Sequence, residues 1–356
     1  MRRAWAVAWV LFLGGIVAGA RGQSPAPVSM SYPAVSGPGA GRHVVLISGD
    51  EEYRSEEALP MLAKILSRRL GFRTTVLFAL DADGTINPNN GASLPGSEAL
   101  DSADLILMSV RFRAWPDEVM TRFERAYLRG TPIVALRTST HAFNGFPEGS
   151  RWRSWNYNVE GGFGKRVFGE TWVSHWGRHK VEATRGAIEP AAKNHPVLRG
   201  VTNLFGDTDV YEAYPPADAD VLVRGVVLQS LRSDSAPASY SKTRASDRRA
   251  QDVNTPAMPV VWTRLHTNPG GTVNRIVVST LGSATDLEDE GLRRLLANAV
   301  FWGLGMNVPS EMDVRVVDAY RPSFYGFDGF RKGLRPSDFA LGQDVPGTPL
   351  PKPVQP

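Results

Sequence analysis

The sequence predicts an α/β protein built on a doubly wound, mostly parallel β-sheet. Three observations support this prediction. Short apolar runs, typical of strands buried on both faces, alternate with amphipathic helical patterns along residues 43–136. Connections of this kind are right-handed and place helices on both faces of the sheet. With 356 residues and no cysteine, the chain can bury a large core without disulfide bonds.

The first strand and helix show the pattern most clearly. The segment HVVLISG at residues 43–49 is nearly all apolar, as expected for a fully covered strand. Ser55 can then cap a helix whose first turn carries two glutamates, and leucine and isoleucine recur at helical spacing until Gly71 ends it. Pro60 is compatible with this helix because it falls within the opening turns.

The later elements follow the same logic, with less regularity towards the C-terminus. Apolar runs predict further strands at residues 74–79, 105–110, 132–136, 221–228, 260–264 and 275–281. Helical periodicity predicts helices at residues 116–128 and 292–302. Residues 152–176, rich in glycine and aromatic residues, are expected to form long loops with one short helix, and the polar segment 232–256 a surface insertion or hairpin excursion.

The N-terminus has the three-part organisation of a secretory signal peptide, predicted at residues 1–20. Two arginines precede an apolar run that ends in Ala-Gly-Ala. A retained membrane anchor is the alternative, although about 17 apolar residues are at the short limit of a bilayer span. No second run of this length follows, which predicts a periplasmic or extracellular protein without a stable membrane span after cleavage. Residues 21–41, dominated by small residues and proline, are expected to be a disordered linker.

Composition argues against several classes of function. The absence of cysteine rules out a cysteine nucleophile and thiolate metal sites. The formal net charge is +4 and no dense run of lysine and arginine occurs, so no nucleic-acid partner is predicted. No feature marks an interface, and a homo-oligomer stays an open alternative.

The predicted functional cleft lies at the carboxyl edge of the sheet, where open α/β folds bind ligands. Charged, tyrosine and imidazole side chains follow the predicted strands. With one tryptophan from the loop region, they supply the predicted substrate-binding residues: Asp50, Glu52, Tyr53, Arg111, Arg113, Arg137 and Trp172. Two alternatives apply to the cations. Arg111 and Arg113 can pair with neighbouring acids, and Arg137 can form a structural salt bridge beneath the cleft.

His141 is the sharpest catalytic candidate, because it lies just past the turn after the fourth strand, where many α/β enzymes place a reactive side chain. Ser139 could act as a nucleophile only if a base reached its hydroxyl group, and the string RTSTH lacks the G-x-S-x-G elbow. We therefore favour chemistry at His141 over nucleophilic attack by Ser139.

His175 and His179 form a candidate site for a divalent metal ion such as zinc. Two histidines four residues apart would share one face of a helix and could hold a metal ion together. Gly177 between them, and the absence of an H-E-x-x-H order, count against such a helical site. His266, near a Pro-Gly-Gly turn, is expected at the surface.

Several motifs, taken in their order along the chain, resemble the ThuA-like, or trehalose-utilisation, family. They are HVVLISG at 43–49, PIVAL at 132–136 with His141, GGFG at 161–164 followed by His175, HPVLRG at 195–200, DTDVY at 207–211, PVVWTR at 259–264, RIVVSTLG at 275–282 and RRLLANAVFW at 293–302. We therefore expect a ThuA-like domain at residues 42–306. Residues 307–356 are expected to be a C-terminal extension and disordered tail, similar to that of a secreted bacterial subgroup.

The resemblance implies a flavodoxin-like fold of the class I glutamine amidotransferase-like type. It does not imply amidotransfer, because the chain lacks the required cysteine. His141, His175, Asp209 and Tyr211 match positions that the family pattern shares, and they are the catalytic candidates. Ser283 stands where the family commonly has histidine, and its role is left open. The family is linked to disaccharide catabolism, including that of oxidised sugars.

Two functions from different classes follow. The first is an exported enzyme, a hydrolase or lyase, that acts on a carbohydrate through histidine and carboxylate groups or a metal ion. The second is a noncatalytic carbohydrate-binding protein. Four tryptophans lie close together in the chain and could stack on sugar rings or fill the core: Trp152, Trp155, Trp172 and Trp176.

Overall fold

The computed structural model describes Met1 and residues 26–344, and all structural statements refer to these residues. Nearly all of the predicted signal peptide and the end of the predicted tail lie outside the described residues. Within the described part of the chain, no helix is both long and apolar enough to cross a bilayer.

The fold contains fourteen strands and three α-helices along these residues. The strands are β1 Ser29–Tyr32, β2 His43–Gly49, β3 Arg73–Phe78, β4 Leu105–Val110, β5 Ile133–Leu136, β6 Ser174–His175, β7 Thr184–Ile188, β8 Phe205–Gly206, β9 Tyr211–Glu212, β10 Ala219–Val227, β11 Ser241–Thr243, β12 Ala250–Asp252, β13 Met258–Thr267 and β14 Val273–Ser279. The helices are α1 Ser55–Arg68, α2 Asp117–Leu128 and α3 Glu290–Gly303.

Ten of these strands form one mixed sheet in the order β1-β3-β2-β4-β5-β14-β13-β10-β7-β8. Its centre, β3-β2-β4-β5-β14, is parallel throughout. Numbered along the chain, these five strands have the order 2-1-3-4-5, which is the flavodoxin-like order. The predicted α/β fold class is therefore confirmed. The order reverses between β2 and β4, and this is the point at which such sheets bind ligands.

The flanks of the sheet are antiparallel. On one side, β13, β10, β7 and β8 continue the sheet from β14, and each is antiparallel to its neighbour. Only five residues separate β13 from β14, which is too short for the crossover that a parallel pair needs. The polar segment after β10 forms the small β11-β12 hairpin outside the main sheet.

The prediction of a disordered linker at residues 21–41 is wrong for Ser29–Tyr32, which form strand β1. β1 pairs with β3 in the antiparallel sense, with Met30 opposite Val76. Tyr32 is buried, and its hydroxyl group donates to the carbonyl of Phe339 at 2.7 Å. An edge strand needs little apolar sequence of its own, because its partner supplies the ladder hydrogen bonds and one aromatic side chain anchors it.

The core lies on both faces of the sheet, because successive side chains of a strand point to opposite faces. Along β2, Val44 and Leu46 pack in the layer that contains α1 and α3. Val45 and Ile47 pack in the layer that contains α2. The C-terminal extension also packs on the first layer, where Lys64 of α1 lies 2.5 Å from an Asp318 oxygen.

His266 is buried, so the expected surface position is wrong. Its Nε2 lies 2.8 Å from the hydroxyl oxygen of Tyr127, and the two rings stack. Burial, with help from Arg264 and Arg166, lowers the pKa of His266 to about 4. The histidine is a packed part of the β13 flank.

Candidate functional site

A cavity of about 250 Å³ opens at the carboxyl edge of the parallel strands, beside the reversal between β2 and β4. Its polar lining consists of Glu52, Arg111, His141, His175 and His179. Its aromatic lining consists of Phe112, Trp172, Tyr211 and Phe327. The cavity is slightly smaller than the range of about 300–1,000 Å³ that is typical of drug-sized ligands. Its size therefore suits a small polar molecule.

The turn after β5 carries His141 into the cavity. It begins with Arg137 at φ +40°, in the left-handed region, and continues as a short 3-10 helix, Arg137–His141. A strained strand-to-helix turn of this kind presents the nucleophile in many α/β enzymes, but here the strained residue is an arginine. Ser139 donates to the carbonyl of Met108 at 3.0 Å and accepts from the amide of Val110 at 3.2 Å. The Ser139 hydroxyl group therefore hydrogen-bonds to the backbone in both directions, which agrees with the preference for His141 over Ser139 as the reactive residue.

The His141 ring lies among aromatic side chains. It contacts Phe112, Tyr157, Trp172 and Tyr211, with ring centroids 5.3–6.4 Å apart. Burial, reinforced by Arg111, Arg137 and His175, holds the pKa of His141 well below its usual value. The ring is therefore neutral at neutral pH. Its Nδ1 lies 3.2 Å from the hydroxyl oxygen of Thr140.

His175 and His179 meet through strand pairing and a turn, not through a helix. His175 lies in β6, opposite Tyr211 of β9, and the amides of Trp176 and Gly177 both donate to the carbonyl of Val210. A Cβ atom at Gly177 would lie only 3.2 Å from Cβ of Asp209. The close approach of this segment to Asp209 therefore depends on glycine. The segment between the histidines is therefore not a helix, as Gly177 and the missing H-E-x-x-H order indicated, and the two rings still lie side by side, with centroids 4.5 Å apart.

Asp209 joins the two histidines. Its Oδ2 lies 2.8 Å from Nδ1 of His175, and its Oδ1 lies 3.0 Å from Nδ1 of His179. On the other edge of the His179 ring, Nε2 lies 2.9 Å from Oε1 of Glu52. The result is a continuous cluster of two imidazoles and two carboxylates.

The charges in this cluster stabilise one another. Burial would raise the pKa of Asp209, but hydrogen bonds from both histidines and the charge of Arg137 hold it well below its usual range. Burial likewise opposes charge on Glu52, yet the hydrogen bond and charge of His179 lower the pKa of that carboxyl group. Burial opposes charge on His179, while Asp209 and Glu52 raise its pKa overall.

Beneath the cavity, Arg137 is fully buried and forms an ion pair with Asp209. Its Nη2 lies 3.0 Å from Oδ1 of Asp209, and its Nη1 donates to the carbonyls of Asp209 and Thr280. The guanidinium carbon lies 4.2 Å from the ring centroids of both Tyr53 and Tyr211. The structural salt bridge considered for this arginine is thus present.

Four of the predicted substrate-binding residues lie under the cavity rather than along it. We call them the buried floor: Asp50, Tyr53, Arg113 and Arg137. Asp50 accepts from the hydroxyl of Thr138 and from the amides of Glu52 and Tyr53. Arg113 lies 3.1 Å from a Glu51 oxygen and donates to the carbonyl of Pro88. These groups hold the loops in place and have little capacity left for a ligand.

Seven other predicted site residues line the cavity, and we call them the open wall: Glu52, Arg111, His141, Trp172, His175, His179 and Tyr211. The predicted catalytic residue Asp209 is buried behind His175 and His179 and does not line the cavity. Arg111 pairs with Glu51 and stacks on Phe112 at 4.1 Å. The hydroxyl of Tyr211 donates to Tyr53 at 3.4 Å, which turns this catalytic candidate towards the floor. Ser283 accepts from the amide of Asp286 and is fully buried, so it caps a turn outside the cavity.

Sequence reasoning missed two aromatic residues of the cavity. Phe112 has a left-handed backbone, with φ of 52°, and immediately follows Arg111. Phe327 belongs to the C-terminal extension and is 54% exposed at the cavity mouth. The extension is fastened to the loop after β2, because the amide of Gly326 donates to the carbonyl of Glu52 at 2.8 Å. The unusual aromatic and glycine content of residues 324–330 was the available signal.

No family model and no curated protein matches the chain. A solved structure of a ThuA-like protein from Parabacteroides merdae is 17% identical with a TM-score of 0.44, covering 78% of this chain and 92% of that one. A ThuA-like protein from Bacteroides uniformis is 15% identical with a TM-score of 0.44, covering 76% and 94%. PurLQS from Thermotoga maritima is 10% identical with a TM-score of 0.35, covering 73% and 98%. Two of these structures carry the name of the family whose motifs the sequence resembles.

Proposed function

We propose that this chain is an exported ThuA-like enzyme that acts on a sugar or sugar derivative in the cavity between the open wall and Phe327. The observation that carries the proposal is the convergence of three histidines and Glu52 on one small cavity with aromatic sides, with Asp209 bound behind two of the histidines. A cleft with convergent polar groups and perturbed pKa values is the expected form of an active site.

His141 is the proposed proton acceptor. The Thr140 hydroxyl lies 3.4 Å from the carbonyl oxygen of Arg137, to which it can only donate. Nδ1 of His141 then donates to Thr140, and Nε2 carries the lone pair. Because its low pKa keeps the ring neutral, Nε2 is ready to accept a proton from a substrate hydroxyl or from water.

The His175 side of the cavity is the proposed partner of His141. Both rings contact Trp172 and Tyr211, so they flank one ligand position. The bond between Nδ1 of His175 and Asp209 fixes the orientation of that ring. A substrate held here would meet a neutral base on one side and a carboxylate-supported imidazole on the other, which suits hydrolysis or elimination.

The aromatic lining supports a carbohydrate ligand. Trp172 is partly exposed along the cavity, whereas Trp152, Trp155 and Trp176 are buried in the core. A half-exposed indole beside polar groups presents an apolar face to a sugar ring while hydroxyl groups reach the histidines. This same observation favours the second candidate function, a noncatalytic carbohydrate-binding protein.

The test is turnover by the purified protein on monosaccharides, disaccharides and their oxidised derivatives, with products followed by NMR. We expect His141→Ala to lower kcat/KM by about 10²–10⁴-fold, the usual range for a general base. His195→Gln is the matched control, because His195 lies outside the cavity and caps a turn through Val197. Equal turnover by His141→Ala and wild type would contradict the catalytic assignment. Sugar binding by calorimetry without any product would favour the binding protein.

A further inference from the structure

We propose that His175, His179 and Asp209 bind a divalent transition-metal ion of the zinc class, with one coordination position open to the cavity. This inference deepens the proposed function and rests on it for the substrate, whereas the metal site stands on its own geometry.

The ligand atoms are already assembled. One atom from each of the three side chains lies within 4.8 Å of the other two. Two nitrogen ligands on one zinc ion are at most about 4.2 Å apart, given Zn–N bonds of about 2.0–2.1 Å. Small rotations of the partly exposed imidazole rings are therefore enough to place an ion between them.

The donor set is that of a reactive zinc site. Two imidazoles and one carboxylate leave a fourth position for water or substrate, whereas structural zinc sites use four protein ligands. His175 and His179 line the cavity, so the fourth position faces the ligand space. The chain has no cysteine, so the site must be built from nitrogen and oxygen donors.

The neighbours of the ligands suit this role. Glu52 lies 2.9 Å from Nε2 of His179, on the ring edge opposite Asp209. A carboxylate that holds the far nitrogen of a ligand histidine fixes its orientation and strengthens it as a donor. Arg137 lies 3.0 Å from Oδ1 of Asp209, which leaves Oδ2, beside His175, as the oxygen offered to the ion.

The segment that presents the histidines is held rigidly on both sides. Nζ of Lys242 donates to the carbonyls of His175 and Trp176 at 2.7 and 2.9 Å. The indole of Trp176 is fully buried and donates to the carbonyl of Val253. Preorganised ligands of this kind lose little freedom when an ion binds. A bound ion would polarise a carbonyl or hydroxyl oxygen of the substrate, or activate a water molecule.

The experiment measures uptake of Zn²⁺ and Co²⁺ by the purified protein after treatment with EDTA. We expect one ion per chain by calorimetry, and visible absorption from bound Co²⁺. His179→Ala should abolish uptake, and Glu52→Gln should weaken it by about 10–100-fold. His195→Gln should bind as the wild type does.

Two results would overturn the metal site: no uptake by the wild type, or equal uptake by His179→Ala. If His179→Ala does not fold, the Glu52→Gln variant, which preserves side-chain shape, tests the site instead, and uptake equal to that of the wild type would contradict it. The two proposals fail separately. Metal uptake without turnover on any sugar contradicts the proposed function alone, and sugar turnover by a protein that takes up no metal ion contradicts the metal site alone.

Discussion

The buried floor and the open wall contain similar residue types, yet the structure uses them differently. Arg137 of the floor and His141 of the wall come from the same short 3-10 helix, and both are almost completely buried. Arg137 bonds two carbonyls, a carboxylate and a tyrosine hydroxyl. Among the described residues, the side chain of His141 has one hydrogen-bond contact, between Nδ1 and Thr140.

In this comparison, hydrogen bonding, rather than burial, distinguishes the supporting Arg137 from His141, the proposed proton acceptor. A buried polar group gains stability when its partners are complete, and it then has little capacity for a ligand. A group with an unused polar atom beside a cavity is free to act on a substrate. Four experiments test this distinction.

The largest expected effect is on the stability of the floor. Arg137→Met leaves the buried carboxylate of Asp209 without its arginine, so we expect a loss of about 3–5 kcal/mol in the free energy of unfolding. Denaturant unfolding measures it. Arg232→Met is the control, because Arg232 and Asp234 form an exposed pair and should contribute within about 1 kcal/mol. Similar losses in both variants would remove the distinction between floor and surface.

The second effect concerns Glu56, buried behind the loop after β2. Its carboxyl oxygens have no hydrogen-bond partner among the described residues, and Arg54 lies 3.4 Å away. Burial, opposed by Arg54 and reinforced by Glu57, raises its pKa to about 7. For a carboxyl group whose pKa is higher in the folded than in the unfolded protein, the contribution to the free energy of unfolding is complete at pH values below the unfolded-state pKa. This contribution is lost as the pH rises through the folded-state pKa.

Glu56→Gln keeps this side chain neutral at every pH. We therefore expect the variant to gain about 2–3 kcal/mol relative to wild type as the pH rises from about 4.5 to 8, measured by denaturant unfolding. The exposed Glu118, changed to Gln, should show no such trend. A constant difference between Glu56→Gln and wild type across this range would contradict the raised pKa.

The third effect concerns ligand binding at the open wall. Trp172→Ala removes an aromatic face from the cavity, so we expect sugar binding to weaken by about 3- to 10-fold, equivalent to ~0.7–1.4 kcal/mol. Calorimetry measures the affinity. Trp302→Ala is the control, since that tryptophan contacts His195 outside the cavity. If the control weakened binding equally, stacking by Trp172 would be rejected.

The fourth effect, similar in size to the third, concerns the junction between wall and floor. The Cβ atom of Gly177→Ala would crowd Asp209 at 3.2 Å and the amide of Val210 at 3.3 Å. We expect a loss of about 1 kcal/mol in the free energy of unfolding, together with weaker binding of metal ions. Gly91→Ala, whose Cβ would meet nothing nearer than 3.4 Å, should be close to neutral. A neutral Gly177→Ala would mean that this segment adapts easily.

Sequence patterns alone determined the parallel centre of the sheet, because apolar runs and helical periodicity are local properties. They also placed His141 at the carboxyl edge, since strand ends in a parallel sheet meet at one edge. The polar residues at this edge were identified as a group. Their division into floor and wall was not, because it depends on which partners each side chain finds.

Tertiary structure alone decided the contents of the cavity. Glu52 and His179 are 127 positions apart, and His179 and Asp209 are 30 apart, so no local pattern relates them. The β6-β9 pairing brings them together, and the C-terminal extension adds Phe327 at the mouth. Sequence periodicity records which face of an element is apolar, whereas the meeting of distant side chains depends on how the loops pack across the sheet edge.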